Sequence, residues 1–135
     1  MDFLFAKADE SLRTVWGWAS IVEDEAGQPV VDLQGDVILP TDLQKAAHDY
    51  LLHSRDGGVM HEATGVATIV ESLITTPDTI AALFPRIEKG LIPTGWAVAF
   101  KVHDESVWKR VLSGELAGFS IHGTGERIPV GDAAV

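Results

Sequence analysis

Residues 116–125 read LAGFSIHGTG, a short run bounded by glycines and rich in residues that favour a pleated strand. Alternate side chains of a strand share a face. Ser120 and His122 therefore point the same way, and Phe119 and Ile121 form an apolar face. An ordinary solvated strand has the same pattern, but this strand also presents a hydroxyl and an imidazole together. We interpret it as the strand around which the other elements are arranged.

Composition limits the classes of protein to which the chain can belong. A length of 135 residues fits one domain. No apolar run approaches the roughly 20 residues that span a bilayer, and no basic, apolar signal peptide opens the chain. The absence of cysteine excludes a disulfide framework, thiolate zinc sites and a cysteine nucleophile. A net charge of −10 without a Lys/Arg cluster argues against a nucleic-acid surface. We expect a cytosolic domain without nucleic-acid or membrane partners.

Periodicity predicts three helical segments. The clearest helix spans residues 40–55, where Thr41 and Gln44 have the spacing of a capping box. A second helix is predicted over residues 104–112 with Asp104 as its N-cap, and residues 77–90 have the pattern of a short helix and loop.

The strand pattern predicts the fold class. Alternating or β-rich runs predict strands over residues 15–23, 30–34, 65–75 and 96–102, in addition to the Ser120 strand. Because these runs alternate and are not continuously apolar, we predict an α+β fold, a mostly antiparallel β-barrel flanked by short helices. We expect a loose lead-in over residues 1–14, the domain over residues 15–128, and a tail over residues 129–135 that could continue in a longer chain.

No motif predicts a metal or cofactor. His61 and Glu62 begin a sequence like that of a zinc protease, but Gly65 occupies the position of its second histidine. His48 and His53 are five residues apart and do not share a helix face. A calcium loop from Asp32 would need glutamate at its twelfth position, which is leucine, so we favour a structured surface loop there. We expect no metal and no cofactor.

Ser120 needs a base within hydrogen-bond reach to act as a nucleophile, and histidine is the usual base. His122 lies two residues further along the same strand, so its Cβ is about 6–7 Å from that of Ser120 and direct opposition is awkward. His61 lies on another segment that could cross beside this strand. Glycine lets a backbone approach closely, so backbone N–H groups of 57–58 or 123–125 are candidate oxyanion donors.

A third residue could orient the base. Glu71 interrupts the otherwise apolar or small run VATIVESLIT, and a hairpin after His61 could bring it towards the imidazole. A solvated strand face is the more common reason for a lone glutamate in such a run. His122 is the second candidate for this role.

The chain resembles the phage serine proteases of the XkdF type, relatives of the phage prohead proteases. The segments that carry the resemblance span residues 15–127 and read VWGWASIVEDEAGQPVVDLQGDVILP, SRDGGVMHEATGVATIVES, TGWAVAFKV and SGELAGFSIHGTGER. The resemblance implies a barrel similar to the herpesvirus capsid-maturation proteases, with His61 and Ser120 as the catalytic pair. Herpesvirus enzymes have a second histidine well downstream of the serine. No histidine follows His122 here, so that third position is absent or filled by another residue.

The resemblance also implies a function. It predicts a serine endopeptidase of phage-head maturation that cleaves scaffold and major capsid proteins, and potentially itself, inside the procapsid in the host cytoplasm. A homodimer stays open. The alternative is a non-catalytic structural or scaffold-linked module of capsid assembly that retains the fold, because fold does not establish function.

Overall fold

The computed structural model describes residues 2–32, 35–59 and 63–121. Within them the chain forms six strands and three helices. In chain order these are β1 (Asp2–Asp9), β2 (Thr14–Glu23), α1 (Pro40–His53), β3 (Asp56–Val59), β4 (Ala63–Ile74), α2 (Pro77–Leu83), β5 (Thr94–Val102), α3 (Glu105–Ser113) and β6 (Gly118–Ile121).

The strands pair in antiparallel fashion throughout the described residues. The four long strands form a sheet in the order β1–β2–β5–β4, and β3 follows β4. The short strand β6 pairs with β3 through two residue pairs and with β1 through three, so the pairing order returns to β1 as a closed barrel. The predicted α+β class with a mostly antiparallel sheet is confirmed, and the closure depends on the two short ladders of β6.

The two central strands divide their side chains between an inner and an outer face. Val15 of β2 lies opposite Phe100 of β5, and both are fully buried in the core. Trp16 and Trp18 are half-buried on the other face, opposite two alanines of β5. The alternation predicted for both strands is thus observed, and it places large aromatic side chains on both faces of the sheet.

Helix α1 packs on the inner face. Its buried residues Leu43, Ala47 and Tyr50 recur at helical spacing. The Tyr50 ring meets Trp96 edge-on at 5.6 Å between centroids and Phe100 at 6.4 Å. Edge-to-face pairs of this kind add to the free energy of area burial. The helix therefore supplies the layer that covers the core residues of β5.

Helix α3 has the predicted N-cap. The Asp104 carboxylate accepts a hydrogen bond from the Val107 N–H at 3.0 Å, and Gly114 ends the helix in the left-handed conformation at φ 80°. Trp108 of this helix is 1% exposed, and the guanidinium of Arg13 lies 5.5 Å from its ring centroid. The predicted helix over residues 104–112 is confirmed with its ends shifted by one residue.

The loose lead-in predicted over residues 1–14 is wrong, because β1 occupies most of it. β1 pairs with β2 along most of its length and with β6 at its start. Phe5 packs against the core, and Leu4 is 66% exposed on the opposite face. β1 is therefore an amphipathic strand that lies between β2 and β6 in the sheet.

The strand predicted over residues 30–34 is not formed by the described part of this segment, since Val31 makes only a single bridge to Val37. The Asp32 side chain accepts a hydrogen bond from the Asp36 N–H at 2.8 Å, and the Asp32 N–H donates to the Asp36 carbonyl at 3.0 Å. These bonds turn the chain back on itself, as the favoured surface loop requires. Residues 33–34 lie outside the described residues.

The start of α1 differs from the predicted capping box. Leu39 is the N-cap, it makes no side-chain cap, and Pro40 is the first helical residue. Proline suits this position because its fixed φ is already helical and its missing N–H is not needed there. Thr41 is therefore inside the helix. The helix itself is confirmed, and it ends at His53.

Candidate active site

Ser120 is carried by a strand that is paired on both edges. In the backbone register it lies opposite Asp2 of β1 and Gly58 of β3. The contact with β1 begins one residue before β6, where the Phe5 N–H donates a hydrogen bond to the Ala117 carbonyl at 2.9 Å. The backbone at Ser120 is thus positioned from both sides at the place where the barrel order closes.

The strand beside Ser120 leads towards His61 in the chain. Gly58 is opposite Ser120, and Val59 then pairs with Ala63 of β4. His61 is midway between those two residues in the sequence. The structure therefore brings together the Ser120 strand and the strand that precedes His61. His61 itself lies outside the described residues, as does His122, so the distance from Ser120 to either ring stays a prediction.

The segment Gly57–Gly58 adjoins the serine in the backbone register. Gly57 is opposite Ile121 and Gly58 is opposite Ser120. One of the two glycine segments proposed as oxyanion donors is therefore a neighbour of the serine strand. The other, residues 123–125, lies outside the described residues.

Glu71 lies at a distance from this junction. It is exposed on β4 and opposite Ala99 of β5. Ala63, which pairs with Val59 of β3, is eight residues earlier on the same strand, which corresponds to about 26 Å at the rise of a strand. The register gives no support to Glu71 as the residue that orients His61. Its exposure fits the alternative of a solvated strand face.

A local irregularity explains the position of Glu71. The register between β4 and β5 shifts between Ile69 and Glu71. Ile69 is opposite Phe100 in the core, and without the shift Glu71 would share that inner face. The extra residue, Val70, turns Glu71 to the outer face. Simple alternation in the sequence does not reveal such a bulge.

The other part of the junction that the sequence analysis missed is β1. Asp2 is opposite Ser120, yet residues 1–14 were expected to be loose. The signal was present in the apolar run FLFA near the start of the segment DFLFAKAD. It was weak because the register shift between Phe5 and Lys7 interrupts the period of two.

The described residues contain no group of three or more His, Cys, Asp or Glu side chains that could hold a metal ion. Two carboxyl groups, Asp9 and Asp104, have lowered pKa values, mainly because the hydroxyls of Ser11 and Ser106 donate hydrogen bonds to them. Neither lies on β6 or opposite it in the register. Among the helices of the described part of the chain, none is long and apolar enough to cross a membrane.

Comparison with known proteins identifies the family. The family model described as "Putative phage serine protease XkdF" matches residues 4–129. The chain belongs to this family, as its resemblance had indicated. The match includes β1 from Leu4 onward, Ser120 and His61.

Two curated relatives from Bacillus subtilis (strain 168) are similar to the chain. The phage-like element PBSX protein XkdF is 30% identical over 97 residues, which cover 72% of this chain and 34% of that protein. The uncharacterized protein YqbD is 33% identical over 99 residues, which cover 73% of this chain and 29% of that protein. The matched region spans about a third of the length of these relatives. No solved structure matches the chain significantly.

Proposed function

We propose that the chain is the proteolytic domain of a phage serine endopeptidase, with Ser120 as nucleophile and His61 as general base. The observation that carries the proposal is the pairing of the Ser120 strand with β3, the strand that precedes His61. Membership of a family described as a serine protease supports the same chemistry.

The chain between β3 and His61 limits how far the base can be from the serine. His61 is three positions after Gly58, which is opposite Ser120. An extended chain spans at most about 3.3–3.6 Å per residue, so this tether is at most about 11 Å long. A tether of this length allows the His61 side chain to reach Ser120. In this mechanism His61 removes the hydroxyl proton as Ser120 attacks the scissile carbonyl, and then protonates the leaving amine.

The proposed oxyanion donors are backbone N–H groups of Gly57–Gly58 or of residues 123–125. Acyl transfer requires donors fixed in advance where negative charge develops. The position of Gly58 opposite Ser120 favours the first segment.

We assign the third position, if the enzyme has one, to His122 in preference to Glu71. His122 follows Ser120 by two residues in the sequence, whereas Glu71 is eight residues along β4 from Ala63, the partner of Val59. Without such a residue the site works as a Ser–His dyad. Because Glu71 has no role in this assignment, Glu71→Gln is a control variant that should retain activity.

The proposed substrates are scaffold and major capsid proteins of the phage head, and the proposed place of action is the procapsid in the host cytoplasm. This assignment rests on the resemblance to prohead proteases, as does the proposal that the barrel corresponds to the herpesvirus protease fold. The phage-related family of the chain supports it.

Proteolysis can be tested by co-expressing the chain with scaffold and capsid proteins of its phage and following their cleavage by mass spectrometry. We expect cleavage with the unmodified chain and none with Ser120→Ala or His61→Ala. Ser113→Ala and His48→Ala are matched controls, since both side chains are exposed on helices, and these variants should retain full activity. Circular dichroism verifies folding of each variant.

The alternative function is a non-catalytic module of capsid assembly. It predicts that Ser120→Ala and His61→Ala leave head assembly unchanged and that no substrate is cut by any variant. Cleavage that persists in folded Ser120→Ala would contradict the proposed nucleophile.

A further inference from the structure

Two rows of side chains cross the outer face of the four-stranded sheet. The first row is Lys7 on β1, Trp16 on β2, Ala99 on β5 and Glu71 on β4, each opposite the next in the register. Lys7 and Glu71 are exposed at its two ends, and Trp16 is half-buried. The row therefore runs from a cation through an indole and a small residue to a carboxylate.

The second row repeats the pattern with apolar ends. Leu4 of β1 is opposite Trp18 of β2, which is opposite Ala97 of β5, which is opposite Leu73 of β4. Leu4 is 66% exposed, and Trp18, Ala97 and Leu73 are half-exposed. Both rows thus have tryptophan on β2 and alanine on β5.

A groove of about 610 Å³, the alanine groove, lies over Ala97 and Val98 of β5. Trp16 and Trp18 line one side of it, and Glu71 and Leu73 line the other. The helix α1 packs on the opposite, inner face through Tyr50, so it does not cover this groove. The same surface therefore carries an apolar groove and, beside it, two half-buried indoles.

We propose that this outer face binds a second copy of the chain. The two-fold axis would run parallel to the strands, between β2 and β5. This operation places the tryptophans of each copy over the alanine groove of the other. It also sets Lys7 of each copy against Glu71 of the other, and Leu4 against Leu73. An isologous interface needs such self-complementarity, and the charge pairing selects this axis. The inference does not depend on the proposed protease activity.

The other in-plane axis is unfavourable. A two-fold axis perpendicular to the strands would set β1 against β1 and β4 against β4. Lys7 of each copy would then face β1 of the other copy, and Glu71 would face β4. Neither charge would meet an opposite charge. The cation–π contact of Lys7, 4.6 Å from the Trp16 ring centroid, already holds the ammonium group over this face.

The face is large enough for such a contact. Four strands spaced about 4.8 Å apart and roughly 30 Å long present a projected area on the order of 550 Å². Standard interfaces bury about 800 Å² of accessible surface per partner. The accessible surface of a patch with side chains is larger than its projected area, so this face is close to the standard size. Tryptophan is also among the residues enriched at the energetic centres of interfaces.

The test is the self-association of the 135-residue chain by sedimentation equilibrium at physiological salt. We expect a dimer, and we expect Lys7→Glu or Glu71→Lys alone to raise its dissociation constant about tenfold or more, because each places like charges together twice per dimer.

An equimolar mixture of the two variants should recover the original affinity. One copy of the mixed dimer then carries glutamate at both positions and the other carries lysine at both, so each contact between copies pairs opposite charges. Within one chain the two positions are three strand spacings, about 14 Å, apart, beyond a Debye length at physiological salt. Recovery in the mixture therefore requires contact between copies.

Two further variants complete the experiment. Ala97→Phe fills the groove and should abolish the dimer without loss of secondary structure. Lys45→Glu makes the same charge change on the exposed surface of α1 and should leave the dimer intact. A monomeric chain, or a dimer that Lys7→Glu and Ala97→Phe leave unchanged, would overturn the proposal. A monomer whose tryptophan fluorescence responds to a lysine-rich peptide would also overturn it and would assign the face to a basic partner in place of a second copy.

Discussion

At the scale of single residues, Gly95 shows most directly how the sheet constrains the sequence. A Cβ at this position would collide with the Ser20 carbonyl oxygen, and it would lie 3.0 Å from Ile21 Cα and 3.2 Å from the Trp18 ring. Two of these three atoms belong to the backbone of β2, which cannot move without disturbing its ladder with β5. The requirement for glycine here comes from the close approach of two strands.

Gly95→Ala should therefore destabilise the protein by about 2 kcal/mol or more, in the range of overpacked cores. Gly27→Ala is the matched comparison, because a Cβ there meets nothing within 4 Å but the residue has φ +80°. The left-handed backbone alone should cost about 1–2 kcal/mol. Urea unfolding of both variants measures the difference. Equal stability of Gly95→Ala and the unmodified protein would show that the strands are not so close.

A hydrogen bond between two side chains connects β4 to the core. The indole Nε1 of Trp96 donates to the Ser72 hydroxyl at 2.8 Å, and Trp96 is 1% exposed. Ser72→Ala would leave this buried donor without its acceptor. We expect a loss of about 1–3 kcal/mol in the free energy of unfolding. Ser72→Thr keeps the hydroxyl and should recover most of that loss, and a variant Ser72→Ala as stable as the unmodified protein would contradict the account.

At the scale of elements, the sequence predicts best where local signals agree. Helix α3 has an N-cap in Asp104, a buried stripe and a left-handed glycine at its end, so its bounds were predicted to within one residue. Strands β2 and β5 alternate strongly and were also predicted. The strand β1 was missed because a register shift between Phe5 and Lys7 interrupts its alternation. The bulge at Val70 was missed because register is a property of a strand pair. The bulge places Glu71 on the outer face, and its role beside His61 stays a prediction.

The cap of α3 carries a pH-dependent prediction. The pKa of Asp104 is lowered below its usual value near 3.8, first by the Ser106 hydroxyl and then by the Val107 N–H. A carboxyl with a lowered folded pKa stabilises the fold above its unfolded pKa, and this contribution is lost as pH falls through the folded value. The unmodified protein should therefore be more stable than Asp104→Asn at pH 7, and the difference should shrink below about pH 3.8.

Urea unfolding at pH 7 and pH 3 measures this difference. Asp104→Ala removes the cap at every pH, so it should stay less stable than Asp104→Asn at both. A gap between the unmodified protein and Asp104→Asn that does not narrow at pH 3 would show that the charge of the carboxylate contributes nothing to the cap.

At the scale of the whole molecule, β1 connects two surfaces, because Leu4 is opposite both Trp18 of β2 and Gly118 of β6. The closing strand β6 carries Ser120 between β1 and β3. The outer face of β1–β2–β5–β4 carries the two tryptophan rows, with Glu71 among them. The sequence indicated the serine strand through its residue pattern, and the resemblance indicated His61 as the base. The sequence could not indicate the outer face. Its rows combine residues of four strands, and these residues become neighbours only when the strands pair.

The most direct test of the central claim is covalent labelling of the chain by a fluorophosphonate, mapped by peptide mass spectrometry. Such reagents react with serines activated by a base. The account predicts an adduct at Ser120, slowed about 100-fold or more in His61→Ala and unchanged in Glu71→Gln. An unlabelled Ser120 in the folded chain, or labelling at the same rate in His61→Ala, would contradict it.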